Sequence, residues 1–130
     1  MLIEIDFQSE EAIYIQLRNQ IILAIAASLL HEGDALPPVR QMAGQIGINM
    51  HTVNKAYDVL RQEGFVTIDR RRGAVIAVDA DRARAMMQLK ASLRPVIARA
   101  VCQGVKMQEI HALVDQILAE WGIPMGSVED

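Results

Sequence analysis

Asn49, His51, Thr52, Asn54 and Lys55 fall within one short stretch of polar side chains that contains no carboxylate. Arg40 precedes them, and Arg70, Arg71, Arg72 and Gly73 follow as a cationic run closed by a glycine. A side-chain amide such as that of Asn54 offers a donor and an acceptor side by side, the pattern that pairs with N6 and N7 of adenine. Lys55 has the reach for a guanine edge or a phosphate, and the arginines suit backbone phosphates. Asn49 has a second use as a helix N-cap. The chemistry on offer is recognition of a double-stranded nucleic acid, with base reading in one cluster and phosphate contacts on either side.

Catalytic and metal chemistry find little support. The chain contains no nucleophile elbow, no phosphate-binding glycine loop and no HExxH pattern, and Glu10-Glu11 do not form an acid/base pair, so no enzyme is expected. His31, His51 and His111 fall on separate predicted elements. Cys102 is the single cysteine, which excludes an intrachain disulfide and a multi-thiolate site. Cys102 and His111 flank the turn at Gly104, but two ligands do not close a zinc site. A packed thiol is the plainer role, and no cofactor is expected.

The elements that must position the basic and amide groups follow from periodicity. Residues 2–7 alternate in polarity and predict a short strand. Ser9 is then the expected N-cap of a long helix whose stripe is Ile13, Leu17, Ile21, Ala24, Ile25 and Ser28, ended by a turn at Gly33-Asp34. Leu36-Pro37-Pro38 breaks the chain, and Pro38 suits the first turn of a new helix that buries Val39, Met42, Ala43 and Ile46. Gly47 closes it and Asn49 opens the next, where Val53, Ala56, Tyr57 and Leu60 point inward and Gly64 marks the end. The period then changes to two. Residues 65–69 and 74–78 flank the tip Arg70-Arg71-Arg72-Gly73 as a hairpin. Helix, helix–turn–helix and hairpin together make a winged helix–turn–helix.

Two segments, Gly33 to Ala43 and Asn49 to Tyr57, resemble the GntR family of bacterial transcription regulators. The family pattern runs Gly-Asp-x-Leu-Pro-Ser-x-Arg-x-Leu-Ala, then Asn-x-x-Thr-Val-x-x-Ala-Tyr, then a glycine-containing wing. Ile13-Tyr14-Ile15-Gln16-Leu17, Leu60, Glu63-Gly64-Phe65 and Gly73 continue the likeness, which covers residues 3–78. Pro38, Gln41, Ala12 and Arg71 depart from it, standing where Ser, Glu, Pro and the first wing glycine are usual. Met50 and Asn54 stand where some relatives carry base-reading arginines, so a different operator is implied. The resemblance implies a sequence-specific DNA-binding transcription regulator, a repressor acting on a palindromic operator. The short C-terminal region resembles the YtrA-type subfamily, whose tail serves dimerisation.

That tail has its own signature. Asp79-Ala80-Asp81 makes a short hinge, after which Met86, Leu89, Leu93, Val96, Ile97 and Ala100 form one helical stripe, with Pro95 expected to kink or break it. Ile110, Leu113, Val114, Ile117, Leu118 and Trp121 form a second stripe, stopped by Gly122 and Pro124. Two helices carrying Met86, Met87, Leu93, Ile97, Leu113, Ile117 and Trp121 offer more apolar surface than one chain can cover, so a homodimer interface is expected there. The expected organisation is a mainly α protein with a small β hairpin. It comprises a winged helix–turn–helix over 1–78, a helical dimerisation region over 79–124 and a disordered tail over 125–130.

Composition bounds these readings. The chain has 130 residues, 52% hydrophobic and 22% charged, which is ordinary globular usage, and its 4% aromatics leave an aliphatic core. The longest apolar run, residues 21–30, is about half a membrane span, and no secretory signal is legible, so a cytoplasmic protein without membrane attachment is expected. The net charge of −3 favours a rival role, a winged helix kept for protein contacts without DNA. Against it stands the distribution, since residues 38–57 hold two cations and no acid. A small-molecule effector is compatible with the sequence, though no residue points to it.

Overall fold

The computed structural model describes residues 3–123. They form five helices and one hairpin, in the order α1 (Ile13–Ala26), α2 (Val39–Ile46), α3 (Met50–Gln62), β1 (Val66–Asp69), β2 (Gly73–Ile76), α4 (Arg82–Cys102) and α5 (Met107–Glu120). Two compact units divide after Asp79.

In the first unit α1 and α2 both pack against α3. Leu17 and Ile21 from α1, Met42 and Ala43 from α2, and Val53, Ala56, Tyr57 and Leu60 from α3 meet Leu36, Val66 and Ile76 in one buried cluster. The spacing of these residues is what the sequence periodicity predicts for α2 and α3. Each large aliphatic side chain here contributes about 1.5–3 kcal/mol by leaving water. Arg18 on α1 also pairs with Glu63, the residue capping the C-terminus of α3, at 3.1 Å.

The α2–α3 connection forms as the sequence requires. Gly47 takes the left-handed conformation, φ 73°, that a β-carbon would resist, and its N–H donates to the Ala43 carbonyl. The Asn49 side-chain oxygen accepts from the His51 backbone N–H at 2.7 Å. Pro38 stands one residue outside α2 as its N-cap rather than within its first turn. That position suits proline too, since no helical donor is needed there.

The hairpin is antiparallel, with Val66 opposite Ile76 and Asp69 opposite Gly73. The strands are shorter than expected, but Ala77 N–H still donates to the Phe65 carbonyl at 3.0 Å across the hairpin, and Gly73 belongs to β2 rather than to the tip. A third segment, not expected from the sequence, joins the hairpin. Residues 33–36 run along the other edge of β2, with Leu36 N–H donating to the Ala74 carbonyl and Ile76 N–H to the Asp34 carbonyl, each at 2.8 Å. So the segment entering α2 is tied to the wing.

The N-terminal expectations fail in two places. Residues 3–6 have no regular secondary structure and join no ladder. Their backbone is held instead by side-chain amides of α1: Asp6 N–H donates to Gln16 Oε1 at 2.9 Å, and Glu4 N–H to Gln20 Oε1 at 2.8 Å. Ser9 is not the cap of α1. Its hydroxyl accepts from Glu11 N–H, and the helix starts from Ala12 without a side-chain cap. At the other end α1 stops at Ala26, short of Ser28 and Leu30. Ser28 adopts φ 60° and Leu29 N–H reaches back to the Ala24 carbonyl, a left-handed helix end built without glycine.

In the second unit Asp81 caps α4, its carboxylate accepting from Arg84 N–H. The helix runs unbroken through Pro95, so of the expected kink or break the break does not occur. At the start of α5, Lys106 N–H donates to Glu109 Oε1 at 2.9 Å. No residue of α4 or α5 is buried in the single chain. The expected stop at Pro124 and the tail 125–130 lie outside the described residues.

Candidate nucleic-acid interface

The residues selected from the sequence occupy the start of α3, the start of α2 and the hairpin tip. His51, Asn54 and Lys55 are exposed and Thr52 half-exposed on the N-terminal half of α3, whose opposite face carries the buried Val53, Ala56, Tyr57 and Leu60. Asn49 is exposed, but its side-chain oxygen is committed to the cap, which leaves the amide N–H groups for other partners. Arg40 lies exposed in the first turn of α2. Among the described residues, Arg40, Arg70 and Arg71 have no side-chain ion pair. A cation near a helix start with free backbone N–H groups is a ready partner for a phosphate.

What fixes α2 against α3 is a bond the sequence does not announce. The Tyr57 hydroxyl, buried with its ring, donates to the Pro37 carbonyl at 2.8 Å. It anchors the residue before the α2 cap to the middle of α3. Loss of water around the phenol pushes its pKa well above the usual tyrosine range.

The wing tip is organised by an acid. Asp69 Oδ1 accepts the backbone N–H groups of Arg71 at 2.7 Å and Arg72 at 3.1 Å. These two bonds, helped by the neighbouring Arg72 guanidinium, hold its carboxyl below the usual carboxylate range. Arg72 pairs with Asp69 at 3.7 Å and donates to the Gly33 carbonyl at 3.0 Å. Of the three arginines, then, Arg72 is bound back to the fold, and Arg70 and Arg71 are presented at the tip. Gly73 has φ 78° and open space where a β-carbon would stand, so the turn needs glycine for its backbone angle, not for room. An aspartate that starts a tight turn is a recognisable signal, and Asp69 could have been found by it.

Tyr14 is the other residue that the sequence did not assign to this surface. Together with Ile13 it lines an open groove with His51, Thr52 and Lys55. Lys55 Nζ stands over the Tyr14 ring, 4.2 Å from its centroid. Helical periodicity says nothing of such a contact, because it joins two helices far apart in the chain.

The tail residues are placed on α4 and α5. Met86, Met87, Leu93 and Leu113 are exposed and Ile97 and Ile117 half-buried, while Trp121 follows the last residue of α5 as its half-buried cap. Cys102 is exposed rather than packed. Among the described residues no group of three or more His, Cys, Asp or Glu side chains could hold a metal ion. No described helix is long and apolar enough to cross a membrane.

Comparison with known proteins agrees with this geometry. Residues 10–76 match the family of bacterial regulatory proteins called gntR. The chain is 33% identical over 122 residues to the HTH-type transcriptional repressor YtrA of Bacillus subtilis, covering 92% of this chain and 94% of that protein. It is 39% identical to a solved structure of YtrA from Sulfolobus acidocaldarius, a GntR-family transcription factor, over 72% of this chain and 98% of that one, with a TM-score of 0.61. A solved structure described as a transcriptional antiterminator from Listeria monocytogenes EGD-e is 28% identical, covers 100% of this chain and 98% of its own, and gives a TM-score of 0.84. Motif, fold and relatives converge: the chain belongs to the GntR family of bacterial regulatory proteins and is a DNA-binding transcription regulator with a winged helix–turn–helix.

Proposed function

We propose that the protein is a transcriptional repressor that binds a palindromic operator as a homodimer. The observation that carries the DNA geometry is the exposed, acid-free start of α3, with Arg40 exposed in the first turn of α2. In this reading α3 enters the major groove and His51, Thr52, Asn54 and Lys55 select the bases. Asn49 caps the helix and turns its amide N–H groups to the DNA. Arg40, Arg70 and Arg71 contact phosphates, and Arg72 and Gly73 hold the wing in shape. The protein works in the cytoplasm without a cofactor and without catalysis.

The homodimer is supported by the apolar residues that α4 and α5 leave uncovered, Met87 at 71% exposure and Leu113 at 53% among them. Each recognition helix covers a half-site, and a twofold axis sets two of them about one DNA turn apart. The name of the Bacillus subtilis relative supports repression.

Selection of duplexes from a randomised pool by the purified protein, with sedimentation of the free protein at micromolar concentration, tests the proposal. The expected result is an inverted repeat bound by a dimer, with affinity falling steeply as salt is added. A monomer that holds its palindrome tightly would remove the role given to the tail. Absence of salt-dependent duplex binding would return the winged helix to protein contacts.

A further inference from the structure

We propose that Tyr14, at the start of α1, is a positioning residue for DNA recognition: its ring holds the Lys55 ammonium at the edge of the recognition surface. The inference rests on the DNA-binding reading of α3 and adds a residue from outside the helix–turn–helix.

Three observations carry it. Lys55 Nζ lies 4.2 Å from the Tyr14 ring centroid, well inside the roughly 6 Å within which a ring face attracts a cation. The ring is a fixed platform, since Tyr14 is half-buried and packed against the core cluster. Lys55 itself is exposed, so the ring covers one side of the ammonium and leaves N–H donors open to solvent. A lysine on a bare helix surface spreads over many rotamers, and binding must freeze them. Tyr14 selects those that keep the charge beside His51 and Thr52, which line the same groove. The aromatic face does this work, and the hydroxyl is dispensable to it.

Full-length variants Tyr14→Phe, Tyr14→Leu and Lys55→Met, with both double variants, separate this role from plain packing. The probe is one duplex selected by the wild-type protein, with a mixed-sequence duplex for comparison. Tyr14→Leu is expected to weaken binding about two- to fivefold, the range of an exposed cation–aromatic contact. Tyr14→Phe is expected to restore what leucine loses, and in the Lys55→Met background the leucine exchange is expected to cost nothing more. In the free protein, the ring-current shift of the Lys55 side-chain protons should persist with phenylalanine and vanish with leucine; this readout involves no DNA and also reports that each variant is folded. Equal losses for phenylalanine and leucine would assign the effect to the hydroxyl and overturn the proposal. Tighter binding by Tyr14→Leu would mean that the ring withholds Lys55, and an undiminished leucine effect without Lys55 would reduce Tyr14 to packing. A wild-type protein that shows the ring-current shift yet binds no duplex would refute the DNA reading, and the positioning role with it.

Discussion

Tyr57→Phe removes one oxygen and leaves the shape of the core intact, so its consequences can be worked out separately. The lost bond is the 2.8 Å donation to the Pro37 carbonyl. A hydrogen bond of this kind contributes about 0.5–1.5 kcal/mol net, so a loss of about 1 kcal/mol is expected at neutral pH. Alkali acts in the opposite direction. Burial raises the phenol pKa in the folded protein, while in the unfolded chain it ionises from about pH 10. Between those two values the folded state binds more protons, so stability falls as pH rises, by about 1.4 kcal/mol per pH unit, and the contribution is complete only below the unfolded value. Phenylalanine does not ionise, and every other group titrates alike in both proteins. The wild-type advantage should therefore shrink above about pH 10 and change sign near about pH 11. Urea unfolding at a fixed protein concentration, repeated from pH 7 to pH 11.5, measures the difference directly. A difference that stays constant through that range would refute the buried-phenol argument, and none at pH 7 would refute the bond to Pro37.

Four further substitutions, at three positions, address the DNA-binding surface. Asp69→Ala deletes an acid from a cationic tip, so charge alone would make the variant bind DNA more tightly; because Asp69 orders the turn, the variant is expected to bind more weakly in a DNA titration, and tighter binding would refute that ordering role. Because the Arg71 and Arg72 N–H groups lower the Asp69 pKa, its contribution to the turn is complete above the ordinary carboxylate range and lost as pH falls through the lowered value, which amide shifts at Arg71 would follow. Arg40→Ala should weaken binding to all sequences and reduce the salt slope by about one; an unchanged slope in a folded variant takes Arg40 out of the interface. Asn49→Ala should cost about 1 kcal/mol of stability, and Asn49→Asp should keep that stability while weakening DNA binding by facing a carboxylate toward phosphates. Unfolding and binding curves of both variants check the pair, and a destabilised aspartate variant would contradict the cap.

Local signals carried the helix–turn–helix, because each of its boundaries has a residue with one dominant local use. Gly47 supplies a positive φ, Asn49 a cap, and Val53, Ala56, Tyr57 and Leu60 a single helical face. Where a boundary lacks such a residue, periodicity alone overruns the element. Helix α1 ends at a left-handed serine instead of a glycine, and its start at Ala12 has no capping side chain, so the sequence placed both ends wrongly. The alternation in residues 2–7 was real, but alternation encodes an extended chain and not its partner; side-chain amides of Gln16 and Gln20 took the place of a second strand.

The candidate surface divides in the same way. Which residues are cationic or amide-bearing, and that they begin helices or tip a hairpin, follows from the order of residues alone. Which of the cations are available follows from contacts between segments distant in sequence. Arg72 is drawn back to Asp69 and to the Gly33 carbonyl, and Lys55 rests on a ring from α1, whereas among the described residues no carboxylate pairs with Arg40, Arg70 or Arg71. Periodicity assigns a side chain to a face, and local propensity assigns it to an element. Only packing decides what stands on the other side of that face, because a hydrogen bond or an ion pair depends on distances of a few ångströms that the chain sets by folding.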